Sequence, residues 1–222
     1  MTRGIFIVGN ESTLCRAVEA EATNRVEKFA TAHIQNKLYD VVKTQEPEND
    51  KCIPLEWNSS SQLSARTLVL AAENRLEQID EAVLVCSPPI IRSSPSDLPP
   101  DIIENIISYH IKGWFFLVKE ITTIFKKRGR GTLALVFPES SPGSTRDESA
   151  DILGSSALAS FRAFSQGLLA SAYNEPYMTV GFSTSETGNE PTFASFIFKT
   201  IDELTKRSNG KLFKFGKFNI FK

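Results

Sequence analysis

The sequence has few of the residues that usually build metal sites or disulfide frameworks. Its only cysteines are Cys15, Cys52 and Cys86, and its only histidines are His33 and His110. An odd number of cysteines, with no Cys-x-x-Cys pair, argues against a disulfide framework. The two histidines are too few and too scattered for a recognisable zinc pattern, so the sequence predicts no metal site. Reduced thiols are typical of the cytosol, and we expect a cytoplasmic protein.

An excess of either charge and a long apolar run are also missing. The 222 residues include 25 Lys and Arg and 26 Asp and Glu, which gives a net charge of −1. Without a basic surface field, we expect no nucleic-acid partner. No segment approaches the ~20 apolar residues of a membrane span, and the apolar run at residues 5–8 is too short for a signal peptide. We therefore expect one globular domain over residues 1–222, with no membrane partner.

Short apolar runs rich in β-branched residues alternate along the chain with longer helical patterns. The predicted strands span residues 4–8, 26–32, 52–57, 82–86, 132–137, 178–182 and 211–215. Residues 26–32 also fit a continuation of the first helix. The first predicted helix begins at residue 13. The others span residues 33–44, 59–75, 101–127, 153–173 and 192–206. Ser12 is placed to cap the first helix and Asp101 the fourth, which Gly129 ends. This alternation predicts an α/β fold, a three-layer Rossmann-type doubly wound parallel sheet of about seven strands.

Five segments, taken in order, resemble segments of the short-chain dehydrogenase/reductase family. Residues 3–17 lie where that family has its first strand and glycine-rich turn. Residues 79–85, IDEAVLV, resemble the strand before its Asn-Asn-Ala-Gly motif, and residues 109–113, YHIKG, resemble its VNLKG segment. Residues 126–131, KKRGRG, resemble the approach to its catalytic serine, and residues 157–161, ALASF, fall on the helix after its Tyr-x-x-x-Lys motif. The resemblance implies the family's fold over nearly the whole chain.

The family's cofactor-binding motifs are only partly present. Its TGxxxGxG turn lets the backbone approach the cofactor pyrophosphate at a helix N-terminus. The residues at the motif positions are Val8, Gly9, Thr13 and Cys15. The resemblance implies that Thr13 and Cys15 place side chains where the pyrophosphate would lie, and two prolines at positions 88 and 89 replace the Ala-Gly pair. A degenerate cofactor site would use Gly9, Asn10, Ser12, Thr13 and Cys86. We expect binding of NAD or NADP to be weak or absent.

The family's catalytic residues are replaced. Its serine polarises the carbonyl, its tyrosine donates the proton, its lysine lowers the pKa of the tyrosine, and its asparagine orders a water. By the resemblance these positions fall on Pro138, Asp151, Ser155 and His110. An ionised aspartate at position 151 cannot replace the tyrosine as proton donor. The resemblance therefore implies a protein that is inert as a standard NAD(P)-dependent oxidoreductase.

We expect a binding or interaction module, with two alternatives. The first is an oxidoreductase that keeps NAD(P) binding in altered form and uses the replaced groups. The second is a rebuilt hydrolase-like site, in which a carboxylate raises the pKa of His110 and orients it as a base, and Ser140 or Ser155 is the nucleophile. The resemblance places the candidate residues around one cleft: His110, Asp151, Glu139, Ser140, Ser155 and Cys86. Cys86 also fits a buried small hydrophobe and Asp151 a helix N-cap.

Two helical segments are more apolar than one core-facing side requires. Residues 102–125 and 153–173 carry apolar side chains over more than the ~100° stripe of an amphipathic helix. Phe115 and Phe164 are among them. Because large apolar patches are seldom left exposed, we expect a homo-oligomer, a dimer or a tetramer, built on these two helices. The alternative is that a loop such as residues 88–100 covers the surplus.

Overall fold

The centre of the fold is a seven-stranded sheet in which every strand pair is parallel. A computed structural model of the chain describes residues 3–26, 28–34, 50–140 and 151–216. The strands are β1 Ile5–Asn10, β2 Phe29–Ile34, β3 Cys52–Pro54, β4 Glu81–Val85, β5 Thr132–Pro138, β6 Met178–Thr184 and β7 Leu212–Phe215. Their spatial order is β3-β2-β1-β4-β5-β6-β7. The predicted α/β class and the doubly wound sheet are confirmed.

Helices cover both faces of the sheet. They are α1 Thr13–Thr23, α2 Gln62–Leu76, α3 Pro100–Asn105, α4 Gly113–Arg128, α5 Ile152–Ser171 and α6 Glu190–Asp202. Apolar side chains of α1 and α6 form one core layer with the sheet, and those of α2, α4 and α5 form the other. Within the described ranges, none of these helices has the length and apolarity needed to cross a membrane.

The long helix predicted over residues 101–127 is interrupted. It begins at Pro100, and its N-cap is Pro99 rather than Asp101, which lies in the first turn. Between α3 and α4 the chain forms a π-helical segment, Ile106–Lys112. Gly129 ends α4 in the left-handed conformation, with a φ of 73°, as the sequence predicts. A π-helical turn often marks a functional site, and this one carries His110.

The boundary of the second strand differs from the prediction. β2 extends through Ile34, because Gly9 and Asn10 of β1 pair with His33 and Ile34. A helix starting at residue 33 is therefore wrong for those two residues, and the rest of that predicted helix lies outside the described residues. Strand pairing between distant segments overrides the local helical pattern here.

Candidate functional site

The carboxyl ends of the parallel strands meet at one edge of the sheet, where open α/β folds carry their sites. Asn10 ends β1, Ser87 follows β4, and Glu139 follows β5. The π-helical segment brings His110 to the same edge, where its side chain contacts Asn10. Some of the residues predicted from the sequence to form a site therefore lie at this edge. Their hydrogen bonds and burial determine which reactions they could support.

Asn10 joins β4 to the π-helical segment through a buried hydrogen-bond chain. Its Oδ1 accepts from the backbone N–H of Ser87 at 2.9 Å. Its Nδ2 lies 2.7 Å from Nδ1 of His110. Because the Ser87 N–H fixes the orientation of the amide, Nδ2 must donate and Nδ1 of the imidazole must accept. The imidazole is therefore neutral, and its remaining proton is on Nε2.

The chemistry of His110 does not match the base of the predicted hydrolase-like site. Only 3% of the residue is exposed. Burial lowers its pKa to about 4, which is opposite to the increase that a neighbouring carboxylate was expected to cause. The lone pair on Nδ1 is occupied by Asn10, and Nε2 already carries the proton. His110 cannot accept a proton at neutral pH without breaking this bond.

Asp151 is a helix cap. Its Oδ1 accepts from the backbone N–H of Gly154 at 2.9 Å, at the start of α5, and from that of Ile91 at 3.1 Å. The residue is 3% exposed. A Cβ at Gly154 would lie 2.4 Å from Oδ2 of Asp151, so this turn of the helix requires a glycine. The carboxylate therefore has a structural role, which the sequence gives as one of two interpretations.

The remaining residues of the predicted cleft have different surroundings. Glu139 is bonded towards β6 and β7, because its Oε1 accepts from Oγ of Ser183 at 3.1 Å and lies 3.2 Å from Nζ of Lys214. Ser140 is exposed and Ser155 is half-buried on α5. Pro138, at the position of the family's serine, is the last residue of β5.

Cys86 lies in the core. It is fully buried among the side chains that pack α2, α4 and α5 against the sheet. Burial raises the pKa of its thiol well above the ordinary value. Only a thiolate is an effective nucleophile, so the interpretation of Cys86 as a small hydrophobe is the one that fits.

In the turn after β1, Ser12 caps the helix as predicted, but the side chain of Cys15 does not lie where the pyrophosphate would bind. Oγ of Ser12 accepts from the backbone N–H of Cys15 at 3.2 Å, and Thr13 is exposed in the first turn of α1. Cys15 is fully buried, and a Cβ at Gly9 would lie 2.6 Å from its Sγ. The expectation that Cys15 reaches the pyrophosphate position is therefore wrong, because its thiol fills the gap between α1 and β1. Gly9 is the glycine that permits this close approach.

One group of side chains at this end of the sheet is absent from the sequence predictions. Cys15 and Glu19 are one turn apart on α1, and His33 on β2 lies beside them. The four-residue spacing on a helix places two side chains on one face. Nothing in the sequence indicates that His33 joins them, because this depends on the pairing of β1 with β2.

Comparison with known proteins gives structural relatives only. No family model and no curated protein matches the chain. A short-chain dehydrogenase/reductase from Serratia marcescens aligns with 96% of this chain and 96% of its own, with a TM-score of 0.69 and 10% identity. The NADH-dependent reductase A1-R′ complexed with NAD gives a TM-score of 0.71 at 10% identity over 96% of this chain and 94% of that one. The structure of ElxO with NADP bound has a TM-score of 0.71 and 11% sequence identity, and the alignment covers 96% of this chain and 97% of that one. The chain therefore has the fold of the short-chain dehydrogenases/reductases.

Proposed function

We propose that this protein is a binding or interaction module with a short-chain dehydrogenase/reductase fold, and that it does not catalyse standard NAD(P)-dependent carbonyl reduction. The observation that carries the proposal is the bond between Asn10 and His110. By the resemblance, His110 lies at the position of the family's catalytic asparagine, and its bond to Asn10 keeps the buried imidazole neutral. This bond uses the one acceptor atom of the His110 ring, so His110 cannot offer a water both a donor and an acceptor, as the side-chain amide of an asparagine can.

The capping role of Asp151 supports the same proposal. A proton donor must present an acidic hydrogen to the substrate carbonyl. Asp151 instead uses Oδ1 to accept two backbone N–H groups, from Ile91 and Gly154. A carboxylate held in this way acts as a hydrogen-bond acceptor. Asp151 therefore does not replace the family's tyrosine as the proton donor.

A screen for carbonyl reduction tests the proposal. The full chain is assayed with NADH and NADPH against a panel of ketones and aldehydes, with an active short-chain dehydrogenase/reductase in parallel. We expect no turnover above the rate without protein. Turnover that is lost in Asp151→Asn would overturn the proposal, because this variant keeps the capping oxygen and removes only the acid.

The cofactor proposal is weak binding of a dinucleotide. The solved relatives include complexes with NAD and with NADP, so a nucleotide is a plausible ligand of the fold. In this chain the exposed Thr13 and the prolines at 88 and 89 stand where the family has glycine and Ala-Gly. Side chains at these positions hinder the approach of the backbone to the pyrophosphate. Isothermal titration with both cofactors is the measurement, and a low-micromolar dissociation constant would favour the altered oxidoreductase instead.

We also propose that the module is a homo-oligomer that pairs through α4 and α5. The rings of Phe115 on α4 and Phe164 on α5 have centroids 4.3 Å apart, and Phe115 is 49% exposed. The loop before α3 covers part of the apolar surplus, because Ile91 packs with Ile106. It leaves Phe115 uncovered among the described residues. In the family that the chain resembles, the two corresponding helices pair across a two-fold axis, and an isologous patch of this kind closes as a dimer.

A further inference from the structure

Three potential metal ligands of different chemistry converge between α1 and β2. Sγ of Cys15, a carboxylate oxygen of Glu19 and a ring nitrogen of His33 all lie within 4.8 Å of one another. Nε2 of His33 is 2.8 Å from Oε1 of Glu19, and Sγ of Cys15 is 4.0 Å from the same oxygen. Two secondary-structure elements from separate parts of the chain thus present their ligand atoms to one point.

We propose that Cys15, Glu19 and His33 bind a divalent transition-metal ion, with Zn²⁺ as the ion that fits best. Thiolate, imidazole and carboxylate are the ligands that zinc uses, and three protein ligands with a water in the fourth position form a common zinc centre. With metal–ligand bonds of about 2.0–2.3 Å, tetrahedral ligand atoms are separated by roughly 3.3–3.6 Å. The observed separations of 2.8 and 4.0 Å bracket that range. The third separation, between Sγ of Cys15 and the ring nitrogen of His33, is within 4.8 Å, so side-chain rotation has to bring these two atoms closer for the ion to bind all three.

The cluster is buried on the side of Cys15 and open to solvent on the side of His33, and a neighbouring hydroxyl group bonds to Glu19. Cys15 is fully buried, whereas 39% of the His33 side chain and 16% of the Glu19 side chain are exposed. An ion reaches the cluster past His33, and a water completes the coordination there. The hydroxyl of Thr31 donates to Oε1 of Glu19. Such a bond to a ligating carboxylate orients it and is a regular feature of metal centres.

The local electrostatics favour a cation. Glu19 and Glu11 place negative charge beside His33 and Cys15, and the positive charge of Arg16 opposes it. Negative charge in a partly buried place attracts a divalent ion. On binding, the Cys15 S–H bond breaks and its proton passes to the buffer. Nε2 of His33 gives up the proton that it donates to Glu19, to the buffer from an imidazolium or to Nδ1 from a neutral ring. The thiolate sulfur and the imidazole nitrogen then each donate an electron pair to the metal.

Cobalt titration tests the proposal. The full chain, reduced and treated with a chelator, is titrated with Co²⁺, which reports a cysteine ligand through a sulfur-to-metal charge-transfer absorption. We expect one equivalent to bind, with the absorption lost when Zn²⁺ displaces it. Cys15→Ser should abolish the absorption, and Glu19→Gln and His33→Gln should each weaken Co²⁺ binding at least tenfold.

Matched variants decide the outcome. Cys86→Ser, on the opposite face of the sheet, should leave the titration unchanged. Circular dichroism shows whether each variant is folded, and the variants of Glu19 and His33 remain informative if Cys15→Ser unfolds. The absence of a charge-transfer absorption in the wild type, or an absorption that survives Cys15→Ser, would overturn the proposal and leave a hydrogen-bonded cluster only. This test is independent of dinucleotide binding and of oligomerisation.

Discussion

Asn10 at the end of β1 donates its amide N–H to Nδ1 of His110 in the π-helical segment, over a distance of 2.7 Å. The two residues are 100 positions apart, and both are buried. The bond ties the sheet to the segment between α3 and α4 and fixes the protonation state of the histidine. His110 is therefore held as part of the scaffold.

Removing the amide should destabilise the fold. Asn10→Ala leaves both the ring nitrogen of His110 and the backbone N–H of Ser87 buried without this partner. The loss should be about 1–3 kcal/mol in the free energy of unfolding, measured by urea denaturation. Asn74→Ala, at an exposed position of α2, is the matched control and should change stability little. An equal, small effect for the two variants would contradict the structural role of Asn10.

His110 should make stability depend on pH in the acid range. Its folded-state pKa of about 4 lies below the ordinary 6.5, so the unfolded chain binds a proton first as the pH falls. The stabilisation is present above about pH 6.5 and is lost towards pH 4. The shift corresponds to roughly 3 kcal/mol. Wild type should lose about this much more than His110→Gln between pH 7 and pH 4, and parallel pH profiles would refute the assignment.

His33 should show the opposite dependence. Its pKa is raised by Glu19, so its contribution is complete below about pH 6.5 and is lost as the pH rises through the folded-state value. The difference in stability between wild type and His33→Gln should therefore shrink from pH 6 to pH 9. The measurement is made with a chelator present, so that metal binding does not contribute. A difference that grows with pH would be inconsistent with the Glu19 contact.

The capping role of Asp151 can be tested by comparing the stability of two variants. Asp151→Ala removes the acceptor of two buried N–H groups and should cost about 1–3 kcal/mol of stability. Asp151→Asn keeps an oxygen in place and should cost much less, since asparagine is also a favoured N-cap. Thermal or urea denaturation compares the two variants. Equal losses would show that the charge, rather than the hydrogen bonds, is what the site needs.

A charge on the apolar surface of α4 or α5 should dissociate the proposed oligomer. Phe115→Asp and Phe164→Asp bury a carboxylate in the interface, which is strongly unfavourable. Light scattering at tens of micromolar should give a multiple of 24.6 kDa for wild type and the monomer mass for both variants. Leu63→Asp is the control, because Leu63 is 73% exposed on α2 and should leave the mass unchanged. A monomeric wild type would end this proposal.

Local pattern predicted most of the elements and their order. β4 and β5 are built on the apolar runs at residues 82–86 and 133–137. Ser12 caps α1 through its side chain, and Gly129 adopts the left-handed conformation that ends α4. These features depend on neighbours within a few positions, which is why a sequence reveals them. The π-helical turn was not predicted, because seven residues with a slightly wider turn inside a longer helix are too few to show a hydrophobic period of their own.

The site was decided by tertiary structure. The sequence supplied the residue types at the family's positions, and their replacement was readable in Pro138, Asp151, Ser155 and His110. It did not show that Asn10 would hold His110 neutral, or that Cys15 would turn inward beneath Gly9 and meet Glu19 and His33. Those relationships follow from parallel strand pairing and from the packing of helices on the sheet. Burial and the choice of partner set the charge of a side chain, and both exist only after distant segments have come together.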